Sequence, residues 1–128
     1  MSNFISIIID FLKMVFDKKS KKKEKMDVAY KECLNRIRTI RDMNPSKMVI
    51  GGASNEKKLS AFFDLCNDAY RYHKDGLIVG EEWKTLLEEL LQEVRMSYRV
   101  YLAFYRSGKT LCSKETISFI DNEILKYR

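Results

Sequence analysis

Proline occurs once and glycine five times in 128 residues. So few turn-forming residues exclude a β-sandwich or barrel of many short strands, and equally a glycine- or proline-rich disordered linker. Histidine is a single residue, His73, so no histidine-based metal centre can be assembled and no metal ligand set is expected. The three cysteines, Cys33, Cys66 and Cys112, are odd in number, widely spaced and without a CxxC pair. That argues against both a zinc site and a disulfide framework, and predicts reduced, mostly buried thiols. No apolar run reaches the roughly 20 residues that a membrane-spanning helix requires. A secretory signal is not expected either, since basic residues would precede its apolar run, whereas here Asp10 interrupts the run and lysines follow it. The expected location is cytoplasmic.

What is present is a helix-forming chain. With 45% hydrophobic and 33% charged residues, it has the composition of one domain with its own core. At this length folding buries roughly two-thirds of the surface exposed by the unfolded chain. The expected fold class is all-α: a three- to four-helix bundle over residues 26–128, preceded by an N-terminal amphipathic helix and a polybasic segment over residues 1–25. The net charge of +6 is uneven, because residues 1–25 hold seven lysines against Asp10, Asp17 and Glu24, while the remainder holds 17 basic against 15 acidic residues. A local block of one sign points to a partner where a dispersed excess does not.

Phe4 to Phe16 reads FISIIIDFLKMVF, with polar residues Ser6, Asp10, Lys13 and then Asp17 recurring every three to four positions. This is helical spacing with a narrow polar stripe, so protein or lipid must cover the rest of the circumference. Thirteen residues rise about 20 Å, short of the ~30 Å hydrocarbon core. Lys18 to Lys25, KKSKKKEK, is compatible with a solvated linker or with a helix that continues, because Lys and Glu are fair helix formers.

Met26, Tyr30, Cys33, Ile37 and Ile40 predict a second helix over Asp27 to Asp42, ended by Asn44 and Pro45. A brief extended segment at Met48 to Ile50 and a flexible Gly51-Gly52 pair follow. A third helix starts near Ser54 or Asn55, turns Leu59, Phe62, Phe63, Cys66, Ala69, Tyr70 and His73 inward, and stops at Asp75-Gly76. Gly80, Glu81 and Glu82 open a fourth, the acids suiting the positive end of its dipole. Trp83, Leu87, Leu90, Leu91, Val94, Tyr98, Tyr101 and Tyr105 carry it through six turns to Gly108. A fifth follows Ser113 as N-cap and directs Ile117, Ile120, Ile124 and Leu125 inward.

A lysine cluster beside an amphipathic helix is a two-signal anchor for an anionic membrane surface. Its residues here are Phe4, Ile5, Ile8, Phe11, Leu12, Val15 and Phe16 on the apolar side, with Lys18, Lys19, Lys21, Lys22 and Lys23 beside them. Two other arrangements fit the same pattern: the segment packs into the bundle core with the lysines as a tether, or it pairs with its copy in a homodimer. On a single continuous helix, Arg95, Arg99 and Arg106 fall within about 40° of one another. They form a candidate stripe for a protein partner or for phosphates. Arg95 and Arg99 are like charges one turn apart and call for a nearby acid, most simply on another helix of the chain. Tyr98, Tyr101 and Tyr105 could stack bases, but they continue the Trp83 to Val94 core face, so packing is the better explanation.

Other patterns carry no chemistry. A helix-turn-helix reading of the third and fourth helices fails because Glu81, Glu82, Glu88, Glu89 and Glu93 would meet DNA with Lys84 alone to offset them. RSGKT, Arg106 to Thr110, lacks the glycine of a phosphate-binding loop at Ala103 and has no strand before it. Gly51-Gly52 lacks a longer fingerprint for anions. Asp64 and Asp68 are too few for a cation, and Arg71 and Lys74 are expected to neutralise them. Cys66 and His73 lie two turns apart, about 10 Å along one helix and beyond hydrogen-bond reach. His73 at a helix C-terminus is explained by the dipole. No catalytic residue and no cofactor is predicted.

The stretch FFDLCNDAYRYHKDGLIVGEEWKTLLEELL, Phe62 to Leu91, resembles a family of uncharacterised bacterial proteins that are membrane-anchored and have a helical hairpin around a Gly-Leu-Ile turn followed by acids. The resemblance rests on the aromatic pair, the DGLI turn and the Trp after the glutamates, over about a quarter of the chain. It implies an architecture and a membrane address and no activity; the family's anchor is usually a full span, whereas this chain has a short amphipathic segment. The expectation is a non-enzymatic interaction or regulatory protein, peripheral at the cytoplasmic face of a membrane, with a protein partner for the bundle. The alternatives are a nucleic-acid-associated helical subunit and a small immunity or inhibitor protein.

Overall fold

The lysine run does not interrupt the helix. In the computed structural model, which describes residues 2–43, 53–108, 110 and 112–126, α1 runs unbroken from Ser2 to Asp42. The two helices expected over Phe4–Phe16 and Asp27–Asp42 are therefore one, joined through Lys18–Lys25. Lys and Glu cost a helix little, and extending a helix already formed avoids the cost of a nucleus. The expected stop at Asn44-Pro45, the extended Met48–Ile50 and the glycine pair lie outside the described residues.

Four further helices follow, α2 over Ala53–Lys74, α3 over Gly80–Met96, α4 over Tyr98–Arg106 and α5 over Lys114–Phe119, the last widening into a π turn over Ile120–Ile124. No strand occurs among the described residues, and the all-α expectation holds. Helix α2 already includes Asn55, which is buried in its first turn instead of capping it.

The core is built where these helices face one another. Ala29, Cys33, Ile37 and Ile40 of α1 meet α2 and α3, whose inward residues include Leu59, Phe62, Phe63, Cys66 and Ala69 on one and Leu86, Leu90 and Val94 on the other. The expected six-turn helix is broken at Ser97 (φ −150°, ψ 49°), whose N–H donates to the Val94 carbonyl at 3.1 Å and whose own carbonyl accepts from Val100 and Tyr101 at 3.0 and 3.1 Å. Beyond the break, α4 turns Val100, Tyr101 and Phe104 inward. Tyr101 meets Phe62 edge-on, ring centroids 4.7 Å apart, and Phe63 stacks on Tyr105 at 5.4 Å. A second aromatic group joins Tyr70 to Phe119 at 4.6 Å and His73 to Trp83 at 4.0 Å. Tyr101 and Tyr105 thus pack against the aromatic pair of α2.

Gly76 ends α2 as expected. At φ 77° it occupies the left-handed region, its N–H donates to the His73 carbonyl and that of Leu77 reaches back to Tyr72, the paired bonds of a Schellman cap. Ser113 caps α5, accepting from the Thr116 N–H. Ile120, Ile124 and Leu125 are buried, but Ile117 is not, contrary to expectation. Thr116, Phe119 and Ile120 take the inner side, and residue 117 stands a quarter-turn or more away from it.

One polar cluster lies inside this core. Glu93, 3% exposed, accepts from the Tyr101 hydroxyl at 3.0 Å and pairs with Lys58, 6% exposed, at 3.2 Å. Arg41 Nε stands 3.5 Å from its other oxygen and also pairs with Glu89. Glu89 and Glu93, weighed in the sequence only as acids against a DNA-binding helix, are therefore structural, and the cluster ties α1, α2, α3 and α4 together. Burial, reinforced by the Glu93 charge, pushes the Tyr101 hydroxyl far above the usual phenol range. Removing one member of a buried pair strands the other, so Glu93→Ala is expected to cost about 3–5 kcal/mol. The volume-filling double change Lys58→Met with Glu93→Leu is expected to cost clearly less. Urea unfolding of the single and double variants measures both.

Burial also raises the Cys33 thiol to about 12. A raised pKa means that the folded form holds its proton more tightly, so this contribution is complete below the unfolded value near 8.5 and lost as pH rises toward 12. Urea midpoints should fall between pH 8 and pH 10.5; a midpoint that rises contradicts this.

Candidate membrane-docking surface

Helix α1 divides where its neighbours begin. Ala29 is its first buried residue among those described. Before it, Ile5 is 59% exposed, Ile7 66%, Phe11 59% and Leu12 50%, with Ile8, Ile9 and Met14 also exposed and Val15 half-buried. Lys18, Lys19, Lys21, Lys22 and Lys23 are all exposed. The expected roles of Phe4 and Phe16 fall on side chains outside those described. Packing of the segment within the chain's own core, one of the two alternatives, is thus not what the described residues do.

Ile7, Ile9 and Met14 were not singled out from the sequence, yet they share this exposed surface. The signal was the narrowness of the polar stripe, which leaves apolar residues nearly all round. Eighteen residues make five whole turns of helix. Phe11, Leu12 and Val15 therefore stand on the same side of α1 as Ala29, Tyr30 and Cys33, which pack on the bundle. No helix among the described residues is long and apolar enough to cross a membrane.

The arginines are not one stripe. Arg95 belongs to α3, and Arg99 and Arg106 to α4, so the break at Ser97 removes the single helical wheel on which they align. Arg95 bonds Glu88 at 3.2 Å, two turns back on its own helix instead of on another. Arg99 and Arg106 are exposed, and Arg106 borders a cleft of about 680 Å³ with Tyr98, Tyr105, Asp121, Glu123 and Lys126. Mixed charge lines it.

His73, Asp68, Lys74 and the cysteines are engaged in structure. The His73 ring lies flat on Trp83, with Nδ1 2.8 Å from the Ile78 carbonyl oxygen. Asp68 is held by Arg36 at 2.7 Å and Arg71 at 3.2 Å, whereas Lys74 pairs with Glu115 instead of with the aspartates. Cys33 and Cys66 are buried and Cys112 half-buried, all as free thiols whose pKa burial raises. No group of three His, Cys, Asp or Glu residues that could hold a metal occurs among the described residues. Comparisons of the chain with protein-family models, curated proteins and solved structures found no match.

A helix segment with no buried residue opens far more readily than one in a core, and none of Lys18–Lys25 is buried. Brief trypsin treatment should therefore cut within Lys18–Lys25 before any site in α2 to α4. Earlier cleavage inside α2 to α4, followed by mass spectrometry, would contradict the division of α1.

Proposed function

We propose that the protein is a non-enzymatic interaction or regulatory protein, peripheral at the cytoplasmic face of a membrane, held there by the first part of α1 and its lysines. The observation that carries this is the exposure of Ile5, Ile7, Ile8, Ile9, Phe11, Leu12 and Met14 immediately before a block of exposed lysines. Burying a large apolar side chain is worth about 1.5–3 kcal/mol relative to leaving it in water. Each lysine near an anionic surface adds about 1 kcal/mol. Lipid satisfies both requirements at once, whereas a second copy of the helix covers the apolar residues and leaves the lysines without an acidic partner.

The bundle then faces a protein partner. We put that contact at the corner between α3 and α4, where Met96, 79% exposed, is the most exposed large apolar side chain among those described and stands between Arg95 and Arg99.

Co-sedimentation of the intact protein with vesicles of phosphatidylglycerol and phosphatidylcholine tests the anchor. Binding is expected to weaken with salt and with the loss of anionic lipid. Lys22→Gln with Lys23→Gln should weaken it by roughly thirtyfold, about 2 kcal/mol. Ile8→Asp with Leu12→Asp should abolish it while leaving the unfolding midpoint unchanged, because neither side chain is buried. Equal binding by the wild type and the aspartate variant would refute the proposal.

A further inference from the structure

A helix that lies flat in an interface needs its apolar side free along its whole length, and α1 does not offer that. Phe11, Leu12 and Val15 share their side with Ala29, Tyr30 and Cys33, so the bundle is attached on the very side that would have to face the lipid. About 20 Å of helix separates residue 16 from Ala29, while a packed neighbour extends roughly 15 Å from the axis of α1. The bundle clears a flat surface only when α1 is inclined by about 40° or more.

The lysines give the same answer independently. At 100° per residue, Lys18, Lys19, Lys21, Lys22, Lys23 and Lys25 cover about 200° of the helix, including the side of Phe11 and Val15, and leave the arc around Ser20 and Glu24. All six are exposed. In a flat helix, Lys18, Lys19 and Lys22 would be aimed at the acyl chains beside Phe11 and Val15. In an inclined one they form a collar that spans about 7 Å of depth at 40°, across the layer of lipid headgroups. Ile5 to Val15 rise about 15 Å, half of the ~30 Å hydrocarbon core.

The direction is also defined. Tyr72 near the end of α2 donates to Glu32 of α1 at 2.8 Å, and Asp68, one turn earlier on α2, pairs with Arg36, one turn later on α1, so α2 runs antiparallel to α1 and delivers Leu77, after the Gly76 turn, beside Val28, Lys21 and Lys25. We propose that α1 enters an anionic leaflet obliquely and tip-first, with Ile5–Val15 among the acyl chains, the lysine collar at the phosphates and the Gly76 end of the bundle nearest the surface. The Ser6, Asp10 and Lys13 stripe lies opposite the apolar side and faces back toward water. This orientation rests on the membrane docking argued above, and it makes the bundle a head held off the surface on a fixed helical stalk.

Depth measurement separates the two claims. Nitroxides are attached to Ile5→Cys, Leu12→Cys and Lys19→Cys, each in the full chain with Cys112→Ser, and their oxygen and nickel-chelate accessibility is read by power-saturation electron paramagnetic resonance. The vesicles are of phosphatidylglycerol and phosphatidylcholine. Ile5 and Leu12 stand seven residues apart on one side and are both exposed, so labelling disturbs no packing. The oblique helix predicts position 5 deeper than position 12 by about 7 Å at a 40° incline, and position 19 at phosphate level. Equal depths at positions 5 and 12 would overturn the orientation while leaving docking intact. Failure of the unlabelled protein to sediment with these vesicles would overturn both.

Discussion

The chain carries more apolar helix than its own bundle covers. Along α1 the same side that closes the core from Ala29 to Ile40 continues toward the N-terminus as Val15, Leu12, Phe11 and Ile8, where none of the other described helices follows it. A short helix with no packed face is marginal in water. This one is extended from turns already fixed in the bundle, so it needs no nucleus of its own. The apolar surface is thereby held out in a defined direction, and whatever covers it must come from outside the described chain.

That direction depends on how firmly the other end of α1 is fixed. Arg41, at the last turn, reaches both Glu89 and the buried Glu93, and Arg36 reaches Asp68 on α2. Glu93 in turn holds Lys58 and the Tyr101 hydroxyl, so α1 is tied by charge to the elements that its apolar residues pack against. A buried ion pair of this kind gains little net stability over an apolar equivalent, but breaking one half is costly. Its consequence is a fixed register between α1, α2, α3 and α4. A stalk set on such a base transmits the position of its tip to the bundle, and this gives the proposed oblique docking its meaning.

Much of the architecture was readable from spacing. The inward face of α2, the cap at Gly76, the stop at Gly108 and the Ser113 cap follow from local chemistry that a sequence displays. Three features do not. The continuity of α1 through Lys18–Lys25 was open because Lys and Glu suit a helix and a solvated linker alike. The break at Ser97 carries neither glycine nor proline, so nothing punctuates it. Glu93 looked like a surface acid among neighbours that are surface acids, and only the arrival of Lys58 and Tyr101 from other helices identifies it as interior. The docking surface was legible as apolar residues followed by lysines; that no part of the described bundle covers it was not, because periodicity marks a face without naming what packs there. The arginine alignment was lost for the reason that Ser97 was missed.

Hydrogen–deuterium exchange of the α1 peptides covering residues 5–16, in free protein and on anionic vesicles, bears most directly on this account. Amides in an uncovered helix should exchange within seconds in the free protein, far ahead of those around Phe62 and Leu90, and should slow markedly only when anionic vesicles are added. Protection of that segment to the level of the bundle in the absence of lipid, or exchange that vesicles leave unchanged, would contradict it.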